Sequence, residues 1–374
     1  MTINRRNFTT ALGATAVGTL AGATPWSRAS AQAAVDTLAR RALDAGEREV
    51  VVAGGTGAYG ELVKTHFYDP FTAATGIKVT ATGGTYGEKL ARLKAMTSIN
   101  RMEWDVVSLS VDTLTPETTA LLTDLGDCAA LPNVGTAGVP GSCVRHGVLF
   151  DVGGGVLLYS RDAFPDGRPQ PANWADFWNV RAFPGPRALP NIGTPWWSMM
   201  AALIADGVAP DKLFPLDVDR AFRKLDEIKP HVTVWWRSGD QSQQIFRSRE
   251  VVMAMMFAGR ALRLVSEGLP LNVVWNGAPL DAAFWGVTRG APHQAAARAL
   301  LNFIYTRPDA HAAFIKASFG ATAHREAVAL LAPAEQRLQA VHPDNWSKIV
   351  PVDRDWLAAN QAATLTRWAA WIAS

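Results

Sequence analysis

Glu49-Val50-Val51-Val52-Ala53-Gly54-Gly55-Thr56-Gly57-Ala58-Tyr59-Gly60 runs an apolar, β-branched stretch straight into a glycine-rich turn. Glu49 to Ala53 reads as a buried strand. After the turn, Leu62, Val63 and Phe67 recur at helical spacing as far as Asp69-Pro70, where proline is expected to break the helix. The unit then repeats. Ile77 to Thr82 is a second strand, Gly83-Gly84-Thr85-Tyr86 a turn, and Gly87 to Met96 a helix with Leu90 and Leu93 on one face. Asp105 to Leu109 is a third strand. Strand, turn and helix in repetition predict an α/β chain with a mainly parallel sheet covered by helices on both sides.

Gly55-Thr56-Gly57-Ala58-Tyr59-Gly60 also matches Gly-x-Gly-x-x-Gly. A dinucleotide site needs an acidic side chain at the end of the next strand to hold the ribose. That strand ends in Thr80-Ala81-Thr82-Gly83-Gly84, with no acid. The motif is therefore read as a backbone turn that aims amides and the Thr56 and Tyr59 hydroxyls at a cleft.

The pattern continues along the chain. A leading amphipathic helix fits Val35, Leu38, Ala42 and Leu43 and stops at Gly46. His146 to Tyr159 reads as one long strand, bent by Gly153-Gly154-Gly155. Asp217 caps a helix whose buried stripe is Val218, Ala221, Phe222, Leu225 and Ile228, ended before Pro230. Val251 to Phe257 and Asp281 to Val287 are strands, and His293 to Tyr305 is a helix. Trp356 to Ile372 spaces Leu357, Leu365, Trp368 and Ile372 helically, so these tryptophans are assigned to core packing.

Ahead of all this stands Asn4-Arg5-Arg6-Asn7-Phe8, then an Ala-, Gly- and Thr-rich stretch from Ala11 to Thr24 and small-x-small sites at Ala29-Ser30-Ala31 and Ala31-Gln32-Ala33. Basic start, weakly apolar middle and small-residue end make residues 1–33 an export signal. The arginine pair and Arg28 favour the twin-arginine route over ordinary secretion. No later segment approaches the roughly 18 apolar residues of a membrane helix. Arg5, Arg6 and Arg28 account for the whole formal surplus of 36 basic over 33 acidic residues. The mature chain is neutral, which leaves no electrostatic footprint for nucleic acid. Its two cysteines, Cys128 and Cys143, are expected to close a disulfide in an oxidising compartment, with two unlinked buried thiols as the alternative. The loop-entropy model values such a link at about 3 kcal/mol.

Catalytic motifs are thin. The sequence has no Gly-x-Ser-x-Gly elbow, no His-Glu-x-x-His and no phosphate loop, and its seven histidines show no metal-ligand spacing. Aromatic chemistry is abundant instead, with adjacent pairs at Trp196-Trp197 and Trp235-Trp236. Neighbouring side chains diverge on a strand and on a helix alike. At least one member of each pair is therefore expected at a surface, an interface or a cleft.

Asp69-Pro70-Phe71-Thr72-Ala73-Ala74-Thr75-Gly76-Ile77-Lys78-Val79, Trp104-Asp105-Val106-Val107, Trp174-Ala175-Asp176-Phe177-Trp178 and Phe183-Pro184-Gly185 together resemble the extracellular solute-binding proteins of ABC importers, the spermidine/putrescine-binding type most of all. Glu250-Val251-Val252-Met253-Ala254, Gly259-Arg260-Ala261 and Trp285-Gly286-Val287-Thr288-Arg289-Gly290-Ala291-Pro292 extend the likeness over nearly the whole mature chain. The resemblance implies an α/β, two-lobed periplasmic-binding-protein-like fold (type II), with two mainly parallel sheets flanked by helices and joined by crossing strands. Lobe one would hold residues 46–148 and 287–318, lobe two residues 152–281 and 322–374. Ligand groups would come from Thr56, Gly57 and Tyr59, from Thr85 and Tyr86, from Ser110, from Thr194, Trp196 and Trp197, from Asp240 and Gln241, and from Asp281 on a crossing strand.

Two departures bear on the ligand. Polyamine binders carry acids in the turn that is Gly193-Thr194-Pro195-Trp196-Trp197 here, and Arg249 stands where relatives have glycine. A diamine needs a carboxylate at each end, because an unpaired buried ammonium costs several kcal/mol, and Asp240 and Asp281 are the candidates. A polyamine, a smaller amine, an amino-acid-like zwitterion and a neutral solute stay open. Ferric iron is disfavoured, since no two tyrosines adjoin. The expected function is the substrate-binding component of an ABC transporter: a periplasmic monomer, without cofactor or metal, that hands its solute to an inner-membrane permease. An exported enzyme or a ligand sensor on the same scaffold is the alternative.

Overall fold

Three strands from the first half of the chain, β1 (Glu49–Gly54), β2 (Lys78–Gly83) and β3 (Val106–Ser110), pair in parallel with β1 at the centre. A second parallel trio forms further on from β5 (Arg187–Pro190), β6 (Val232–Trp236) and β7 (Met253–Phe257), centred on β5. Two strands connect them: β4 (Val148–Ser160) and β9 (Leu280–Val287) lie side by side, giving the order β2-β1-β3-β9-β4-β7-β5-β6. The short β8 (Leu271–Val274) and β10 (Ala321–Thr322) both add to β4. Every antiparallel pairing among these strands involves β4 or β9. The sheet is thus parallel within each half, antiparallel at the crossing and mixed as a whole, with helices packed on both faces. The computed structural model describes residues 28–139 and 141–374. Most of the expected export signal, residues 1–33, lies outside them.

The expected elements are present with small shifts. The leading helix spans Arg28–Asp44, and the long strand is β4, 13 residues in one piece. Its first part pairs with β9 and its last part with β7 and β8, so one strand serves both halves. Gly155 sits where it must: a Cβ there would lie 2.9 Å from the Trp197 ring. Asp217 accepts a 2.9 Å hydrogen bond from the Arg220 amide and starts the helix Val218–Ile228, as its pattern predicts. Cys128 and Cys143 are joined in a disulfide. Trp368 is buried against the second half, which supports the core assignment of the C-terminal helix Arg354–Ala373.

One expectation fails instructively. The helix after β1 does not break at Asp69-Pro70. Gly57–Val63 passes through a π-helical turn, Lys64–Tyr68, into the helix Asp69–Thr75. In that turn the Asp69 amide bonds to the Lys64 carbonyl, five residues back. Widening the turn removes the demand for an N–H at Pro70 and the clash of its ring with the preceding turn. Phe67 and Phe71 stay on one buried face as a result.

Arg249 is explained as well. The helix Gly239–Arg247 ends with the Glu250 amide bonded to the Ile245 carbonyl at 2.9 Å and the Arg249 amide to the Phe246 carbonyl at 3.1 Å. These two bonds form a Schellman motif, whose C′ residue adopts the left-handed conformation and is ordinarily glycine. Here it is Arg249, at φ 58°. Arg249→Gly should therefore stabilise the fold by about 1 kcal/mol, read as a higher denaturation midpoint with an unchanged slope in urea. An unaltered or lower midpoint would contradict the assignment.

Candidate functional site

The crossing strands bring two carboxyl groups onto one face of the sheet. Asp281 on β9 pairs with Gly153 on β4, and Ala283 pairs with Asp151, so the two acids are diagonal neighbours. A bulge in β4 between Leu149 and Asp151 is what aligns them. A third acid, Asp112, stands in the short 3-10 turn Val111–Thr113 that follows β3. Its amide bonds to the Ser110 hydroxyl at 3.3 Å, and Ser110 itself pairs with Ala283. Three strand ends therefore converge at the crossing.

The three acids differ in what satisfies them. Both oxygens of Asp151 are engaged: Oδ2 accepts from the Tyr59 hydroxyl at 2.8 Å and Oδ1 from the Ala283 amide at 3.1 Å. Asp112 accepts from the Trp196 indole N–H at 2.9 Å. Trp197 directs its own N–H toward that carboxyl without completing a bond of normal geometry. Asp281 receives no hydrogen bond from the described residues. Burial raises its pKa well above the carboxylate range, and the charges of Asp151 and Asp112 push it further. Burial also raises Asp151, against the Tyr59 bond, and lifts Asp112 to about 6, against the tryptophan N–H groups.

Tyr86 faces the same trio. Its phenol is raised first by burial and then by the charges of Asp151, Asp281 and Asp112. One base belongs to the cluster. Lys89 is buried, donates to the Gly54 carbonyl at 3.1 Å and lies 4.8 Å from the centre of the Tyr86 ring. Burial lowers its pKa to about 8, opposed by Asp151. Tyr59, Tyr86, Asp151 and Asp281 remain half-buried rather than closed off, so solvent reaches part of each. No group of three His, Cys, Asp or Glu among the described residues is placed to hold a metal ion.

Of the residues expected at the site, Tyr59, Tyr86, Ser110, Trp196 and Asp281 meet around this cluster, with Trp197 against it. Thr194 precedes the helix Pro195–Ala205 that carries both tryptophans, and its buried hydroxyl has no partner among the described residues. Others are committed elsewhere. Thr85 forms a capping box with Glu88, and Thr56 and Gly57 lie exposed at the start of the helix Gly57–Val63. Asp240 is highly exposed and salt-bridged to Arg260 at 2.7 Å, and Gln241 accepts from the Arg237 amide at 2.7 Å. Neither is offered to a deep cleft.

Asp112, Asp151 and Lys89 were not legible as site residues. A carboxylate just past the end of a buried strand, as in Ser110-Val111-Asp112, was the available signal for the first. The tryptophan pairs behave differently from one another. Trp196 and Trp197 are both buried: Trp197 packs edge-on against Phe257 in the core of its own half, and Trp196 also reaches Asp112. Trp236 is buried with its N–H on the Met255 carbonyl at 2.8 Å, while Trp235 stacks edge-on against Trp368 and Trp371.

The chain matches, over residues 66–343, the family model described as bacterial extracellular solute-binding protein. It is 31% identical to the gamma-aminobutyric acid-binding protein of Pseudomonas aeruginosa over 82% of this chain and 86% of that one. Among solved structures it is similar to AttC of Agrobacterium tumefaciens C58 in its open unliganded form, at 35% identity and TM-score 0.71, over 87% of this chain and 100% of that one. A GABA receptor superposes with TM-score 0.76 at 28% identity, over 86% and 97% of the respective chains. These relatives are binding proteins, not enzymes, and none of the described helices is long and apolar enough to cross a membrane. With the crossing-strand fold and the family match over most of its length, the chain belongs to the bacterial extracellular solute-binding proteins that serve ABC transporters.

Proposed function

We propose that this protein captures a small solute bearing a single ammonium group, of the γ-aminobutyrate class, and delivers it to a permease. One observation carries the reading: of the three carboxyls gathered at the crossing, Asp281 alone accepts no hydrogen bond from the described residues. A buried carboxyl without a partner is held neutral at a cost, and an ammonium supplies both the charge and the hydrogen bonds it lacks. Asp151, already bonded by Tyr59 and Ala283, shapes the recess. Tyr86 gives it an aromatic wall. Two relatives named for γ-aminobutyrate add support. A polyamine fits less well, because a second ammonium finds no second unpartnered acid. Export before binding, by the twin-arginine route, belongs to the same proposal.

Capture would work by closure. In the proposed division, residues 46–148 and 287–318 form one lobe and residues 152–281 and 322–374 the other. Asp112 and Trp196 then belong to opposite lobes, and their 2.9 Å bond is a latch of the closed form. A solute that touches both lobes favours that form over an open one.

Two experiments test this. Asp281→Asn should abolish γ-aminobutyrate binding by calorimetry, yet raise the melting temperature of the empty protein at pH 7. The sign follows from the raised carboxyl pKa: its contribution to stability is full below the unfolded value near 4 and is lost as pH rises toward the folded value, a loss the amide does not suffer. Unchanged affinity would remove Asp281 from the site. Trp196→Phe removes a hydrogen bond to a charged group, worth about 1.5–3 kcal/mol, and should enlarge the radius of gyration of the empty protein in X-ray scattering. Identical profiles would end the latch reading.

A further inference from the structure

We propose that Lys89 selects the charge of the solute, acting as a resident cation that admits a monoamine and turns away a diamine. The inference rests on the amine-binding reading above and adds to it which amines are refused. Lys89 is 2% exposed, so its ammonium cannot leave the site for water. Its position is fixed from two sides, by the Gly54 carbonyl at the end of β1 and by the Tyr86 ring. Tyr86 opens the same helix, Tyr86–Ser98, that carries Lys89 one turn later. Tyr59, from the helix that follows β1, reaches over to Asp151. The lysine therefore stands behind the aromatic wall that faces Asp151, Asp281 and Asp112.

Counting charges then decides what the cleft accepts. Three carboxyls gather at the crossing, and Asp151 is the one that feels the single ammonium of Lys89. Asp151 is matched internally by Tyr59, by the Ala283 amide and by the field of Lys89, and burial of the lysine is in turn relieved by Asp151. Asp112 is matched by Trp196. Only Asp281 is left to take a cation. The second ammonium of a diamine would have to share Asp151 or Asp112 and stand near Lys89, where like charges repel in a partly desolvated site. A ligand whose far end is neutral or anionic meets no such repulsion.

Removing the lysine charge should therefore weaken or erase the preference. Calorimetry with n-butylamine, γ-aminobutyrate and 1,4-diaminobutane compares ligands of one chain length and different end charge. The wild type should bind the first two at least tenfold more tightly than the diamine. Lys89→Met should shift that ratio tenfold or more toward the diamine, and Lys89→Arg should keep the wild-type ratio. Lys89→Gln, which retains a donor for the Gly54 carbonyl, serves if the methionine variant does not melt cooperatively. A wild type that binds a monoamine, with an unchanged ratio in the neutral variants, sinks this inference alone. A wild type that binds none of the three amines sinks the amine reading and this inference with it.

Discussion

The antiparallel ladder between β4 and β9 is the constraint on which the rest of the molecule depends. β4 hydrogen-bonds to strands of both halves, and β9 carries the register from β3 into it. The bulge in that ladder matters more than its small size suggests. Leu149 pairs with Phe284 and Asp151 with Ala283, so Phe150 is the extra residue. Without it, Asp281 would sit opposite Val152 rather than Gly153. A one-residue slip exchanges the two faces of a strand, and Asp151 and Asp281 would then point to opposite sides of the sheet. Phe150 uses its freedom to stack on Trp285 at 4.6 Å, among the buried side chains that pack against β1 and Phe67. One irregularity thus completes a core and assembles a site.

Burying three carboxyls around one lysine is a poor way to stabilise a protein. Each raised acid stands for a preference of the folded chain for the neutral form, and ionising it costs stability. The hydrogen bonds given to Asp151 and Asp112 offset part of that cost. Nothing offsets it for Asp281. Such a debt is common where a fold is shaped for a ligand rather than for itself, and an ammonium is the complement the arrangement lacks. The half-exposure of Asp151, Asp281 and both tyrosines is consistent with a recess into which a small solute fits.

Much of the fold was legible because it is locally encoded. The apolar run of Glu49 to Ala53, the Asp217 cap and the unbroken stretch from His146 to Tyr159 announce their elements without help from the rest of the chain. The π-helical turn before Pro70 was not announced, since proline forbids a regular helix and says nothing of a wider one. At the crossing, Tyr59, Tyr86, Trp196 and Asp281 were singled out through their place in turns and on the crossing strand, and the fold brings them together. Asp112 and Asp151 escaped for a different reason. Their role depends on register and on a bulge, which arise only when distant strands meet. Asp240 differs in the opposite sense: an acid in a suitable turn, which the fold pairs with Arg260 in solvent, away from the other acids.

The three acids divide the work of a binding cycle among themselves in the proposed mode. Asp151 belongs to the scaffold, bonded on both oxygens by Tyr59 and the Ala283 amide. Asp112 senses the position of the other half through Trp196, so its desolvation rises and falls with closure. Asp281 answers to the solute, and its neighbours set how strongly. Because the charges of Asp151 and Asp112 both press on Asp281, an arriving ammonium relieves both interactions at once. Relief is greatest when Asp112 has been brought close by closure. Capture and closure are then coupled through charge as well as through contact, and a neutral solute of the same shape would lack that coupling.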